Sequence, residues 1–129
     1  MQDEVVATLA LLREWLFEKQ IAEVMIGEEA GTPVGFMLFF YNFSTFVGRA
    51  GIYLEDLFVR PAYRGKGYGK AFMLQLARIA QERGCGRVEW SCLDWNQPSI
   101  DFYHALGAVA MDEWTVYRLD RNAIEELAK

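Results

Sequence analysis

Three glycines alternate where a strand is predicted to end and a helix to begin: Gly65, Gly67 and Gly69. At such a junction the free backbone N–H groups and the positive end of the helix dipole form a seat for an anion, and phosphate is the natural ligand. Cations surround the same loop in an otherwise acidic protein, namely Arg60, Arg64, Lys66 and Lys70. In the alternative interpretation, the glycines serve only the geometry of a tight turn.

Two common phosphate-binding signatures do not fit this spacing. The loop lacks the GxxxxGK(S/T) pattern of nucleotide triphosphatases, and its GxGxG is one residue shorter than the GxGxxG that opens a dinucleotide-binding fold. The loop therefore predicts a phosphate ligand of some other kind.

A pair of carboxylates interrupts an otherwise apolar strand predicted over Ile52–Val59. The pair is Glu55 and Asp56. Burying carboxylates is unfavourable unless they are paired or lie in a solvated cleft. The break therefore indicates a site, although a salt bridge from Glu55 to Arg49 or Arg60 is an alternative explanation.

Hydrophobic periodicity predicts the elements that must position these residues. Helices are expected over Asp3–Lys19, Lys70–Arg83, Pro98–Leu106 and, as one or two turns, Asn122–Lys129. Strands are expected over Ala22–Glu28, Pro33–Phe43, Ile52–Val59, Arg87–Leu93 and Ala108–Leu119. The first two strands should pair as an antiparallel hairpin, and a βαβ crossover should follow in the middle of the chain. The chain is thus predicted to be α+β with a mixed sheet.

Length and composition limit the class of protein. With 129 residues, the chain should form one domain spanning 1–129. Its net charge of −5 disfavours nucleic-acid partners and favours a cationic small molecule. The longest apolar run, Val34–Tyr41, is too short to span a membrane, and Met1–Glu4 does not open a signal peptide. We expect a cytoplasmic protein in which Cys85 and Cys92 are reduced thiols.

The segments Tyr53–Val59, Arg64–Gly69 and Trp95–Tyr103, in this order, resemble the GNAT superfamily of N-acetyltransferases. The second matches the Arg/Gln-x-x-Gly-x-Gly/Ala signature that seats the pyrophosphate of acetyl-CoA. The other two are similar to the spermidine/spermine and thialysine acetyltransferase branch. The resemblance covers Glu18–Leu119 and implies a mixed, mostly antiparallel sheet that is splayed at the coenzyme site, with flanking helices. Family members begin with a strand and a helix that this sequence lacks, so we expect a missing edge strand, unless the sequence is a fragment or a neighbouring subunit fills the gap.

The resemblance also implies roles for individual residues. Those that would bind acetyl-CoA are Leu57, Phe58 and Val59 through their main chain, Arg64, Gly65, Lys66, Gly67, Tyr68, Gly69 and Lys70 at the pyrophosphate, and Asn96 and Ser99. Tyr103 would be the general acid that protonates the departing thiolate, since a phenol near pKa 10 and a thiol near 8.5 permit useful transfer. The residues that would meet the acceptor amine are Glu55 and Asp56, with Glu89, Trp90 and Ser91 beside them.

Each of these residues also has a purely structural interpretation. Leu57–Val59 would be a core strand, Asn96–Ser99 a helix cap followed by a first-turn proline, and Tyr103 a half-buried helix residue. His104 adjoins Tyr103, but consecutive helix residues point about 100° apart, so we expect a surface histidine. Tryptophans such as Trp90 pack more often than they stack on ligands.

As a whole, the resemblance implies an enzyme that uses acetyl-CoA as cosubstrate and acetylates a small cationic amine, such as a polyamine or thialysine. The amine would attack the thioester directly in a ternary complex, with no metal and no covalent enzyme intermediate. It also implies a homodimer. The alternatives are an acetyltransferase for protein amino groups and a catalytically weak acyl-CoA-binding or interaction domain.

Overall fold

The computed structural model describes residues 6–129. The helices are α1 (Leu9–Arg13), which continues as a π-helical turn over Glu14–Glu18, α2 (Tyr68–Glu82), α3 (Gln97–Ala105) and α4 (Arg121–Leu127), and a short 3₁₀ helix spans Pro61–Tyr63. The strands are β1 (Glu23–Glu29), β2 (Thr32–Ser44), β3 (Arg49–Val59) and β4 (Val88–Glu89). The predicted α+β class with a mixed sheet is confirmed.

These residues form two compact units, one that reaches to Ser91 and one from Cys92 to Lys129. The first unit holds α1, the four strands and α2, and the second holds α3 and α4. Among the helices of residues 6–129, none combines the length and the apolar character that a membrane crossing requires.

The sheet of the first unit has the strand order β1-β2-β3-β4. The predicted antiparallel hairpin of β1 and β2 is confirmed, and its two-residue turn consists of Ala30 and Gly31, with φ angles of 51° and 82°. β2 also pairs antiparallel with β3. β4 runs parallel to β3, so β3, α2 and β4 form the predicted βαβ crossover.

Helix α2 packs on β3 and covers one face of the sheet. Its buried side chains recur at helical spacing and are Phe72, Met73, Leu76, Ile79 and Ala80. The sheet contributes alternate side chains of β2 and β3 to the core, among them Met37, Phe39, Ile52 and Leu54. Each large apolar side chain that is fully buried stabilises the fold by roughly 1.5–3 kcal/mol. This layer holds the first unit together.

A β-bulge divides β3. Phe39 lies opposite Leu54 and Leu38 lies opposite Asp56, so Glu55 is an extra residue in β3. Because side chains alternate between the two faces of a strand, Asp56 would otherwise share the core face with Leu54. The bulge moves Asp56 to the other face, and both carboxylates are exposed.

The prediction of a last strand over Ala108–Leu119 was wrong. The segment has no regular secondary structure, and its apolar side chains include Trp114 and Tyr117, which are 71% and 92% exposed. A strand is held by backbone hydrogen bonds to a neighbouring strand, and none of the four strands described in residues 6–129 pairs with this segment. Alternating hydrophobicity was therefore not sufficient to form a strand here.

Strand β4 is shorter than the predicted Arg87–Leu93. It pairs with β3 at two residues, Ile52 and Tyr53, and the pairing ends immediately before the bulge in β3. Because the bulge bends its own strand and interrupts the regular ladder, β4 loses its partner after Glu89.

Helix α1 begins at Leu9 rather than at the predicted Asp3. The side chain of Thr8 accepts a hydrogen bond of 3.1 Å from the amide of Leu11, which fixes the start of the helix as an N-cap. The predicted first residues, Asp3–Val5, lie outside the described residues.

Candidate functional site

The loop between β3 and α2 presents free backbone donors. Helix α2 begins at Tyr68 with Gly67 as its N-cap residue, and no side chain caps it. Within the described part of the chain, the amides of Gly67, Tyr68, Gly69 and Lys70 have no protein acceptor. They lie at the positive end of a 15-residue helix, which is the arrangement that attracts an anion.

The shape of this loop depends on glycine at two positions. Gly65 and Gly67 have φ angles of 77° and 88°, a left-handed conformation that side chains rarely adopt. A Cβ atom at either position would meet nothing within 4 Å, so the space above the loop is open. The glycines therefore shape the turn and also leave its amides accessible to a ligand.

The predicted cations line this loop without carboxylate partners. Arg64 donates from Nε to the carbonyl oxygen of Val59 at 2.8 Å, and Lys66 places Nζ 5.4 Å from the ring centroid of Tyr63. Arg60 donates to the carbonyl oxygen of Pro33 at 3.0 Å. Among residues 6–129, no ion pair involves Arg60, Arg64, Lys66 or Lys70. Their positive charge is thus available to an anionic ligand.

Beside this loop, the second half of β3 has an open edge. The pairing of β3 with β4 stops at Tyr53, whereas its pairing with β2 continues to Val59. The carbonyl oxygen of Phe58 points towards β2, since a Cβ atom on Gly35 would lie 2.2 Å from it. Main-chain groups alternate in direction along a strand, so those of Leu57 and Val59 face away from β2. The carbonyl oxygen of Val59 accepts the Arg64 hydrogen bond on that side.

Glu55 and Asp56 lie at the start of this open half. Both side chains are exposed, and within the described residues neither forms an ion pair or a hydrogen bond. The alternative of a salt bridge from Glu55 is wrong, because no ion pair among residues 6–129 joins it to Arg49 or Arg60, which donate to the carbonyl oxygens of Gly84 and Pro33. The two carboxylates are available to a cation.

The residues predicted beside these carboxylates have partners in the fold. Glu89 accepts a hydrogen bond of 3.3 Å from Asn42 and lies 3.2 Å from Nε of Arg87. The hydroxyl groups of Ser91 and Tyr53 are 2.6 Å apart. Trp90 is half-buried. These contacts fix the short strand β4 and the residues that follow it.

The second unit carries Tyr103 on α3. Burial of its phenol, and to a smaller extent the nearby thiol of Cys92, raises the pKa of Tyr103 above its usual value of 10. The group therefore stays protonated throughout the neutral range, as a general acid must. Cys85 and Cys92 are both free thiols.

Other residues of α3 match their structural interpretations. Asn96 caps the helix by accepting a hydrogen bond of 3.3 Å from the amide of Ser99, and a proline follows in the first turn. His104 is exposed, as expected of a surface histidine. The capping hydrogen bond uses the side-chain oxygen of Asn96 and the amide of Ser99, so the hydroxyl group of Ser99 is available to a ligand.

The first unit therefore brings together the glycine loop, the open edge of β3 and the carboxylates at the bulge. Tyr103, Asn96 and Ser99 belong to the second unit. Sequence reasoning missed the bulge at Glu55 and the hydrogen bond that Tyr68 donates to Glu29. The bulge has a signal in the sequence, because the apolar residues Ile52, Leu54 and Leu57 are spaced by two and then by three. The hydrogen bond has no such local signal, because it joins residues 39 positions apart.

Comparison with known proteins identifies a matching family and relatives that align with most of this chain. The model of a family described as Acetyltransferase (GNAT) family matches residues 2–108. L-ornithine N5-acetyltransferase NATA1 of Arabidopsis thaliana is 43% identical over 95 residues, which are 74% of this chain and 42% of the relative. Thialysine N-epsilon-acetyltransferase of Bos taurus is 40% identical over 114 residues, which are 84% of this chain and 66% of the relative. The chain thus spans less than two thirds of the length of either relative.

The fold has a similar counterpart among solved structures. An integron cassette protein from the mobile metagenome of V. cholerae superposes with a TM-score of 0.83 at 30% sequence identity, covering 98% of this chain and 81% of that one. An acetyltransferase of Trypanosoma brucei superposes with a TM-score of 0.67, also at 30% identity, covering 87% and 77%.

Proposed function

The chain belongs to the GNAT acetyltransferase family, and on that premise we propose that it transfers an acetyl group from acetyl-CoA to a primary amine of a small cationic acceptor. The observation that carries the proposal is the set of unpaired main-chain groups at the start of α2 and on the adjoining edge of β3. Such groups suit a long ligand that is bound mainly through its diphosphate and amide groups.

The residues present fit the coenzyme. Gly65–Lys70 would hold the pyrophosphate, with amides as donors and the side chains of Arg64, Lys66 and Lys70 as counter-charges. The main chain of Leu57 and the amide of Val59 would pair with the pantetheine arm, as an added strand pairs with a sheet edge. The carbonyl group of Phe58, the third residue predicted to bind this arm through its main chain, faces β2 instead. Asn96 and Ser99 are proposed as further coenzyme contacts on the ground of the family resemblance.

The exposed carboxylates at the bulge would bind the acceptor. An alkylamine of pKa about 10.4 must lose a proton before it attacks, which costs about 4.6 kcal/mol at pH 7. Direct transfer to an ordinary carboxylate is uphill, so Glu55 would anchor the cation and accept its proton through water, with Asp56 adding negative charge. Glu89, Trp90 and Ser91 would border the acceptor.

The proposed reaction is a direct acyl transfer through a tetrahedral intermediate. The neutral amine forms a bond to the thioester carbon, the carbon–sulfur bond breaks, and the thiolate leaves with the electron pair. Tyr103 gives its phenolic proton to the thiolate, while the extra proton of the new amide nitrogen passes to water. Backbone donors would stabilise the oxyanion of the tetrahedral intermediate.

A binding measurement and a turnover measurement test this proposal. Calorimetry with acetyl-CoA reports binding, and a thiol-release assay with spermidine, spermine, putrescine, thialysine and lysine esters reports turnover. We expect coenzyme binding and CoA release with at least one of these amines. Coenzyme binding without release on any amine would instead support the acyl-CoA-binding alternative, and release with protein amino groups alone would identify a protein acetyltransferase.

Replacing the proposed acid separates its chemical role from its structural one. Tyr103→Phe should bind the coenzyme normally and lower kcat by roughly 100-fold, because one general acid–base contribution is removed. The matched control is Tyr117→Phe, which alters a 92% exposed tyrosine of the same unit and should leave kcat unchanged. Unchanged turnover in Tyr103→Phe would exclude it as the acid.

Three further expectations are part of the proposal: a single acetyltransferase domain over 1–129, a homodimer and a cytoplasmic location. Light scattering after gel filtration tests the expected homodimer. A monomer at micromolar concentration that turns over normally would contradict it.

A further inference from the structure

The tip of the β1–β2 hairpin contacts the start of helix α2. The hydroxyl group of Tyr68 donates a hydrogen bond to Oε2 of Glu29, the last residue of β1. Tyr68 is the first residue of α2 and lies between Gly67 and Gly69, whose amides are free. A side chain from a separate strand is therefore attached directly to the proposed anion-binding loop.

The same tyrosine closes the base of the loop. The rings of Tyr63 and Tyr68 meet edge to face with centroids 6.1 Å apart, so the two residues that flank Arg64–Gly67 contact each other. This contact holds the two ends of the loop together. Glu29 in turn binds Tyr68, one of the two tyrosines that form the contact.

A second contact attaches the hairpin to the first turns of α2. Phe72, one turn after Tyr68, lies so close to Gly27 that a Cβ atom there would be 2.7 Å from its ring. Gly27 is the residue at which the register of β1 shifts before Glu28 and Glu29. The hairpin thus packs on α2 through Phe72 and reaches its N-terminus through Glu29.

We propose that Glu29 is a positioning residue that holds Tyr68, and through it the free amides at the start of α2, in the geometry that binds the coenzyme diphosphate. This inference rests on the proposed function of the loop. A carboxylate beside an anion site weakens anion binding by its charge alone. If Glu29 acts by positioning Tyr68, its removal should weaken coenzyme binding. If only its charge matters, its removal should strengthen coenzyme binding.

The test uses three variants and one control. Tyr68→Phe keeps the ring but loses the hydroxyl group, Glu29→Ala loses the acceptor, and Glu29→Gln keeps an acceptor without the charge. The control is Glu28→Ala, because Glu28 is the neighbouring exposed carboxylate of the same hairpin and has no partner in the described residues.

Calorimetry with coenzyme A gives the first readout. Tyr68→Phe and Glu29→Ala should each weaken binding by roughly 3- to 10-fold, the worth of one hydrogen bond. Glu29→Gln should recover most of the affinity, and Glu28→Ala should bind as tightly as the unmodified chain or more tightly. Tighter binding by Glu29→Ala would overturn the inference.

Amide hydrogen exchange in the unliganded protein gives the second readout. The hydrogen-bonded amides on either side of the free ones, those of Arg64 and Ala71, should exchange several-fold faster in Tyr68→Phe and Glu29→Ala than in Glu28→Ala, while the thermal midpoint stays the same. Unchanged exchange in these residues would overturn the inference. If the unmodified chain does not bind coenzyme A, the proposed function fails, and the exchange experiment still decides whether Glu29 orders the loop.

Discussion

The two halves of strand β3 differ in how their backbone is used. In Arg49–Leu54 the strand pairs with β2 on one edge and reaches β4 on the other, where the amide of Ile52 donates to the carbonyl oxygen of Arg87 at 3.0 Å. In Glu55–Val59 it pairs with β2 alone. Ile52 and Leu54 are buried in the first half, whereas Glu55 and Asp56 are exposed in the second.

This difference explains why stability and binding occupy different halves. A backbone group that already has a partner in the sheet cannot donate to or accept from a ligand, so the doubly paired half can only stabilise the fold. The bulge at Glu55 ends the pairing with β4 and turns two carboxylates away from the core. One extra residue thus converts the end of a core strand into a candidate site.

The largest effect is expected from a change in the first half. Ile52→Ala removes a side chain that is 0% exposed and should lower the free energy of unfolding by roughly 2–5 kcal/mol. Glu55→Ala in the second half should change it by less than about 0.5 kcal/mol. Urea unfolding of both variants measures this. Equal losses would show that the two halves do not divide these roles.

A smaller effect on binding is expected from the second half. Glu55→Gln removes the charge that would anchor the amine and should raise KM for the acceptor by roughly 10-fold, the value of a charge-assisted hydrogen bond, with unchanged stability. Steady-state kinetics with the best amine measures this. Glu82→Gln is the control, because it makes the same charge change at an exposed position at the end of α2. An equal rise in KM for both variants would mean that only net charge matters.

The smallest effect concerns an ion pair on the core side of the sheet. Arg83 of the α2 C-terminus binds Glu23 at 2.5 and 2.9 Å and donates to the hydroxyl group of Tyr41, which lies on the strand beside Ile52. The hydrogen bond from Arg83 lowers the pKa of Glu23 below its usual value of 4.5, and that of Arg83 is raised.

The sign of the pH dependence follows from this direction. A carboxylate with a lowered pKa binds fewer protons in the folded state, so it stabilises the fold above about pH 4.5 and loses this contribution as the pH falls through its folded pKa. The pair is partly exposed, so we expect less than about 1 kcal/mol. Glu23→Gln should destabilise the protein at pH 7 and much less at pH 3. The control Glu18→Gln should leave the stability unchanged at both pH values. A loss for Glu23→Gln that is the same at both pH values would contradict this.

The glycine loop and the crossover were predictable because their signals are local. Alternating glycines between an apolar strand and a helical period determine a strand–loop–helix unit, and the structure places α2 within two residues of the expected start. The resemblance of Arg64–Gly69 to a known signature then indicated the ligand.

Features that depend on distant partners were not predictable. The segment over Ala108–Leu119 has strand-like alternation, yet a strand also needs a neighbour, and sequence alone does not supply one. The contact of Glu29 with Tyr68 joins two elements that only the packing of α2 on the sheet brings together. The exposed surroundings of Glu55 likewise follow from the end of β4 pairing.

Amide chemical shifts during a titration with coenzyme A test most directly whether the unpaired backbone is the binding site. We expect the amides of Leu57, Val59 and Gly65–Lys70 to shift and saturate together, while those of Arg49–Leu54 stay unchanged. Shifts that leave Gly65–Lys70 unaffected, or no shifts at millimolar coenzyme, would contradict the account.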